Sequence, residues 1–198
     1  HSFWPWRLGR EATVFEIPEL SYNNVIKAIR TGQGLKSTID TPPEYGKYHW
    51  DGHRACGFSC SPEETREIKG ICPVCKRPLT IGVDNRVEEI AAFPKGYKPK
   101  NARPFYRILP LHEAIALAID GNLEGKKTWE TYNELIKNFG NELQVLLHSS
   151  KEMLLGKGFD AKLVEIILKN REEKIKIAPG YDGEYGKALL GEKQSALF

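Results

Sequence analysis

Apolar residues recur along this chain in short alternating runs at first and in helical spacing later. Ala12 to Ile17 alternates enough for a strand, and Leu35 to Ile39 suits another. Between them Val25, Ile26 and Ile29 share one helical face, with Ser21 placed to cap its start and Gly32 to stop it. Tyr48 and Trp50 would share a face of a strand that leads past His53. Leu79 to Val83 is a strand candidate, and Arg86 to Ala92 a helix with Val87, Ile90 and Ala91 on one side. From Leu109 the spacing turns helical. Leu111, Ala114, Ile115, Ala118 and Ile119 form one face, and Gly121 can end it. Thr128 begins a helix carrying Trp129, Tyr132, Ile136 and Phe139; Gly140 interrupts it, and Leu143, Leu146 and Leu147 continue. Ser149, Ser150 and Asp160 are cap candidates ahead of a last face of Leu163, Val164, Ile166 and Ile167. A short strand and Gly-rich turns follow from Ile175 to Gly186. The apolar stripes are expected to be core rather than a cofactor pocket.

The middle of the chain carries the clearest chemistry. All four cysteines lie between Asp51 and Val83. Three residues separate Cys56 from Cys60, eleven lie before Cys72, and two separate Cys72 from Cys75. Two tight Cys pairs joined by a loop suit a tetrahedral zinc ion, and thiolates favour zinc or iron–sulfur clusters over magnesium or calcium. Ser61, Pro62 and Glu64 predict a capped helix in the loop, Gly70 its end, and Cys72-Pro73-Val74-Cys75 a knuckle. Cys56, Cys60, Cys72 and Cys75 are thus expected to hold a closed, structural zinc. Two disulfides or buried free thiols are the alternatives, and His53 could take the place of Cys60. His49, Asp51 and His53 could form a second metal site, or simply a polar face. His112 and His148 fit packing or surface roles better than catalysis.

Bulk properties narrow the classes. The 198 residues allow one compact domain or two small ones. A net charge of +3 and pI of about 8.6 permit nucleic acid without requiring it. No apolar run approaches a membrane span and no signal peptide is visible, so a soluble, cytoplasmic protein is expected. Clustered, knuckle-spaced cysteines fit a reducing compartment. A single methionine and many Lys, Glu and Arg residues fit a thermophile. Both ends look cut, as if the chain were a piece of a longer protein. No phosphate-binding GK[ST], G-x-S-x-G or HExxH pattern occurs, and no repeat.

Two loops are basic and aromatic. HSFWPWRLGR at the start carries Arg7 and Arg10 among tryptophans, which could stack on bases or bind phosphates, although core tryptophans with solvated arginines fit better. FPKGYKPKNARP, from Phe93 to Pro104, holds Lys95, Lys98, Lys100 and Arg103 without an acid. By composition it is the best phosphate-contacting patch, or else a solvated linker.

Taken together, GKYHWDGH, the first cysteine pair, CPVCKRPLTIGV with RVEEIA, PFYRILPLHEAIA and KIKIAPGYDGEYG resemble the C-terminal half of the endonuclease Q family. These are DNA-repair enzymes of the polymerase-and-histidinol-phosphatase (PHP) superfamily, found in hyperthermophilic archaea and some bacteria. The resemblance covers nearly the whole chain. It implies an intact enzyme that cuts 5′ to uracil, hypoxanthine, xanthine and abasic sites by metal-assisted hydrolysis, with zinc, magnesium or manganese in its catalytic site. HSFWPWRLGRE then looks like the end of the catalytic domain, just after its last metal-binding Asp-x-His, with His1 the histidine of that pair. Some relatives lack a cysteine matching Cys60, so the resemblance leaves the fourth zinc ligand open. Gln194 and Leu197 resemble the start of a sliding-clamp-binding motif.

The expected architecture is α+β. Residues 1–45 would close a PHP (β/α) catalytic domain, 46–93 form a small zinc-binding domain, and 94–198 a helical domain with a tail. The expected function is DNA-lesion recognition within a metal-dependent endonuclease, this chain alone being inactive. The alternative is a non-catalytic zinc-and-helix module that docks a helicase or clamp.

Overall fold

The structure is a computed structural model and describes residues 10–189. The chain divides into two compact units, each assembled from two separate stretches. Unit 1 takes the chain up to Thr41 together with Pro99–Ile175. Unit 2 takes Pro42–Lys98 and the chain from Lys176 onward. This differs from three domains laid end to end, because the Leu35–Asp40 strand pairs with Phe105–Arg107 in unit 1 and a Trp50–Tyr181 bridge joins distant segments in unit 2.

Unit 1 starts with β1 (Ala12–Phe15), α1 (Tyr22–Thr31) and β2 (Leu35–Asp40). The Ser21 hydroxyl accepts from the Asn24 N–H at 3.3 Å and starts α1. Gly32, at φ +73°, ends it in the left-handed conformation that glycine adopts without a Cβ penalty. β1 pairs antiparallel with β2, Ala12 opposite Ile39. On the other edge β2 pairs in parallel with β5 (Phe105–Arg107), Thr38 opposite Phe105. Alternation along β2 buries Ser37 and Ile39 and leaves Lys36, Thr38 and Asp40 exposed.

Helices α4 (Leu111–Ile119), α5 (Lys126–Phe139), α6 (Lys151–Gly156) and α7 (Ala161–Arg171) complete the unit, with a π-helical turn at Gln144–His148 before α6. α4 is apolar nearly all round, which fits a central helix, and it packs against α5 and α7. Leu111, Ile115, Leu135, Leu146, Leu154 and Ile167 are among the fully buried members of the core. The Asp160 carboxylate caps α7 by accepting from Lys162 and Leu163 N–H. Asn170 pairs with Leu109 through both ends of its amide, accepting from N–H and donating to C=O at 2.8 Å each. That satisfies backbone groups a buried loop would otherwise leave unpaired. Arg171 donates to the carbonyls of Val145, Leu146 and Ser149, at the wide turn whose oxygens the irregular helix leaves free. α5 begins at Lys126 rather than Thr128; the Thr128 hydroxyl instead donates to the Asn122 carbonyl at 2.8 Å.

Unit 2 is built from smaller pieces. β3 (Asp51–His53) and β4 (Phe58–Cys60) pair antiparallel, followed by α2 (Pro62–Glu67) and α3 (Val83–Ile90). β6 (Lys176–Ala178) and β7 (Lys187–Leu189) form a second hairpin. The strand expected over Leu79 to Val83 is reduced to one bridge, Thr80 to Gly52, and α3 already starts at Val83. The Tyr181 ring lies where a side chain on Gly52 would stand, so a residue with a Cβ cannot enter there without displacing it. The Asp182 carboxylate accepts from the Arg54 N–H and the Thr80 hydroxyl, each at 2.7 Å. Those two bonds tie the returning chain to the cysteine-rich segment. No helix among the described residues is long and apolar enough to cross a membrane.

Candidate metal centre

Two tight turns face each other in unit 2. The first begins where β3 ends. His53 leads into a 3-10 turn, Arg54–Cys56, which Gly57 closes at φ +63° with its N–H on the Arg54 carbonyl. The second follows α2. Ser61 and Glu64 form a reciprocal capping box with Pro62 at the helix start. Lys69 and Gly70 both adopt positive φ, turning the chain sharply toward Cys72. The Lys76 N–H then donates to Cys72 C=O at 2.9 Å and the Cys72 N–H to Arg77 C=O at 2.8 Å, folding Cys72 to Cys75 into a knuckle.

These turns gather His53, Cys56, Cys72 and Cys75, whose donor atoms all lie within 4.8 Å of one another. Cys75 Sγ and His53 Nδ1 are 3.2 Å apart. Zinc–sulfur bonds of about 2.3 Å place tetrahedral ligand atoms roughly 3.8 Å from each other, so the spread fits one ion. The donor set, three thiolates and an imidazole, is that of a closed structural zinc site. His53, Cys56, Cys72 and Cys75 would hold the ion, which would supply cross-linking between the two turns.

The expected four-sulfur set is therefore corrected at one position: His53 stands in the cluster where Cys60 was expected. The reason is strand register. Phe58 lies opposite His53, while Cys60 lies opposite Asp51, two residues further along β4. Two residues of strand move a side chain about 7 Å. Cys60 Sγ contacts the Thr65 hydroxyl at 3.2 Å, and Cys60 is only 3% exposed. Burial pushes its thiol pKa up, as expected for a neutral buried thiol. The sequence held a signal for His53: His53-x-x-Cys56 and Cys72-x-x-Cys75 share one spacing, which Cys56-x-x-x-Cys60 does not.

The sulfurs differ electrostatically. Burial pushes the Cys56 thiol up to about 11, and the neighbouring Cys75 and Cys72 sulfurs add to the rise. Burial also acts to raise Cys72, but N–H groups of Cys75 and Val74 with the His53 and Cys75 side chains outweigh it and bring Cys72 down to about 6. The Cys72–Cys75 knuckle thus offers the more readily ionised sulfur, while Cys56 is helped to release its proton by a nearby cation.

His49, Asp51 and His53 do not form a second site. The wholly buried Asp51 carboxylate accepts from the Gly82 N–H and the Asn85 side-chain amide, anchoring the start of α3. The His49 carbonyl accepts from the Asp84 N–H. His53 alone of the three joins the cysteines.

The expected nucleic-acid contacts divide. Lys95, Lys98, Lys100 and Arg103 are exposed. Arg10 turns inward instead: its guanidinium pairs with Glu113 at 2.7 Å, with the two side chains 12% and 4% exposed. A buried carboxylate requires a partner, so Arg10 is not available to a phosphate. His1, Arg7, Gln194 and Leu197 lie outside the described residues. His112 is buried, stacked against Trp129 with ring centroids 5.7 Å apart, and so has a packing role.

Unit 1 also holds a cleft of about 320 Å³ lined by Arg10, Ile39, Ile108, Asn141, Glu142 and Leu146, among others. Burial pushes the Glu142 carboxyl up, against bonds accepted from the Leu111 N–H at 2.7 Å and the Tyr132 hydroxyl at 3.0 Å. Those bonds tie α4, α5 and the turn after Gly140 together, a structural use of an acid.

Among solved structures, the chain is similar to a lesion-specific endonuclease. The solved structures it resembles are those of endonuclease Q. A crystal structure of PfuEndoQ from Pyrococcus furiosus superimposes with a TM-score of 0.82 and 29% identity, covering 96% of this chain and 47% of that one. Endonuclease Q in complex with a 27-mer duplex substrate, with an abasic lesion at its active site, gives a TM-score of 0.80 and 29% identity, covering 96% of this chain and 48% of that one. Residues 110–174 match the family described as the MJ0043 C-terminal domain. The uncharacterized protein MJ0043 of Methanocaldococcus jannaschii is 33% identical over 94% of this chain and 24% of its own length. This chain thus spans about half of the solved structures and a quarter of the curated relative. The resemblance to endonuclease Q read from the sequence motifs holds across both units.

Proposed function

We propose that this chain is the lesion-recognition part of a metal-dependent DNA repair endonuclease that cuts 5′ to deaminated bases and abasic sites. One observation carries the reading. Nearly the whole chain, 96%, matches endonuclease Q, and one matching structure holds duplex DNA with an abasic lesion. Uracil, hypoxanthine and xanthine are the proposed deaminated bases. An enzyme that reads one damaged base in a duplex must expose it, so base flipping accompanies the reading.

The parts divide accordingly. His53, Cys56, Cys72 and Cys75 would hold a zinc ion that would supply rigidity to unit 2 rather than chemistry. Lys95, Lys98, Lys100 and Arg103 supply the cationic surface that phosphates require. Hydrolysis would belong to a cluster of divalent ions in a PHP part of the intact enzyme, to which His1 would contribute one ligand. The cluster would activate water and neutralise charge on the phosphate. Gln194 and Leu197 begin a clamp-docking segment in this reading.

A gel-shift titration of this chain at low salt tests it. Duplexes with one hypoxanthine or abasic site should bind more tightly than an intact duplex of the same sequence. Absence of any DNA affinity at low salt contradicts the reading. This chain alone should not cleave either duplex, because one histidine cannot assemble a metal cluster; robust cleavage would contradict that division of labour.

A further inference from the structure

The segment after α3 forms a small aromatic platform. The Tyr97 N–H donates to the Pro94 carbonyl at 3.1 Å, closing a four-residue turn. Its third residue, Gly96, has φ +85°, the value that such a turn demands and that L side chains rarely adopt. The turn brings Phe93 and Tyr97 together on either side of it. Their rings stack with centroids 4.2 Å apart and planes 10° from parallel. The two residues remain 60% and 51% exposed. Neither belongs to the apolar cluster of unit 2 around Cys60, Cys72 and Leu79. A side chain at Gly96 would meet nothing within 4 Å, so the tip of the turn is open.

A parallel aromatic pair held in solvent needs an account. Closing the turn requires only Pro94, Gly96 and the backbone; polar residues at 93 and 97 would serve equally and cost less exposure. Lys95 sits inside the turn, and Lys98 and Lys100 follow along the chain. No acidic residue occurs from Phe93 to Pro104. Flat π-faces beside the exposed Lys95 match a stacked base beside its phosphate better than they match an apolar peptide.

We propose that the Phe93–Tyr97 pair stacks against an unpaired nucleobase of the damaged duplex while Lys95 meets a neighbouring phosphate. This rests on the lesion-recognition reading above and assigns it a contact. A duplex with an abasic site always offers such a base, the one opposite the missing partner. Stacking is indifferent to base identity, so the platform would serve every lesion that leaves a base unpaired, with discrimination among lesions made elsewhere.

The test uses the whole 198-residue chain and two duplexes: one with an abasic site facing 2-aminopurine, and its intact counterpart. Phe93→Leu and Tyr97→Leu remove the rings and keep apolar bulk. The double variant should bind the abasic duplex about 5- to 150-fold more weakly, the range expected for one base stack. The intact duplex should be little affected. Wild-type chain should quench 2-aminopurine fluorescence, and the double variant should not. Tyr97→Phe should retain both properties. Lys95→Gln should weaken both duplexes alike and lower the slope of affinity against salt by about one. Zinc content verifies that unit 2 persists. Gly96→Val, which forces the turn open with both rings present, should reproduce the loss independently.

Outcomes separate cleanly. If wild type binds both duplexes and neither the leucine pair nor Gly96→Val alters affinity or quenching, the stacking assignment is overturned and the lesion-recognition reading survives. If wild type binds no DNA at low salt, both fall. If the leucine pair loses an apolar peptide ligand and no DNA affinity, the platform is a protein contact and the proposal is wrong.

Discussion

Unit 1 encloses a continuous apolar core that includes Ile39, Leu111, Ile115, Leu135, Leu146 and Ile167, whereas the buried apolar cluster of unit 2 is the small group Cys60, Cys72 and Leu79. Unit 2 meanwhile exposes Val74, Ile81, Val87 and Ile90. Burial of a core can hold the first; it cannot hold the second. What unit 2 has instead is a set of three sulfur donors with one imidazole, and a buried carboxylate at a helix start. The comparison teaches that one chain can combine two means of stability, and that each should fail to a different insult.

The largest effect should come from removing metal. Structural zinc contributes on the order of 10 kcal/mol to the folding of small zinc domains, because the site does not pre-exist in the unfolded chain. A strong chelator should abolish hydrogen-exchange protection across β3, β4 and α3 and leave α4 and α7 protected. Equal loss in both units would erase the distinction. The converse insult is Leu135→Ala. Leu135 is fully buried, and such truncations cost about 2–5 kcal/mol. Calorimetry should show unit 1 melting earlier while zinc content stays the same.

Asp51→Ala should come next. It leaves the Gly82 N–H and the Asn85 amide without their acceptor, a loss of about 1–3 kcal/mol. It should loosen α3 in hydrogen exchange without releasing zinc, which the second-metal reading of Asp51 would not allow.

The smallest effect is acid lability through Asp182. Bonds from the Arg54 N–H, with help from the Thr80 hydroxyl, hold its carboxyl below the ordinary value. A depressed folded pKa stabilises the fold above the unfolded value, near pH 4, and the contribution fades as pH falls through the folded value. Asp182→Asn should flatten the acid side of the unit 2 stability profile by a few tenths of a kcal/mol, since the group is largely exposed. An unchanged profile would show that the hairpin return is held by its backbone bonds alone.

Much of this was legible in the residues. Ser21, Gly32, Ser61 with Glu64, and Asp160 mark helix ends by local chemistry, and all act as caps. The stripes of α4 and α7 predicted the core of unit 1 because helical periodicity is a local signal. Parallel pairing of β5 with β2 was not legible, since it joins residues more than sixty apart through a three-residue strand. Neither was the inward turn of Arg10, which depends on a carboxylate at position 113. The Cys60 expectation failed for a subtler reason. Counting sulfurs treats all cysteines as equivalent, whereas strand register moves Cys60 along β4 and leaves a histidine beside the knuckle.

That register is the most direct point of attack. X-ray absorption at the zinc edge, on the zinc-loaded chain and on its Cys60→Ala variant, reads the ligand set. The account predicts one zinc per chain with three sulfurs and one nitrogen in both proteins. Four sulfurs in the wild type, or loss of the ion on replacing Cys60, would contradict it.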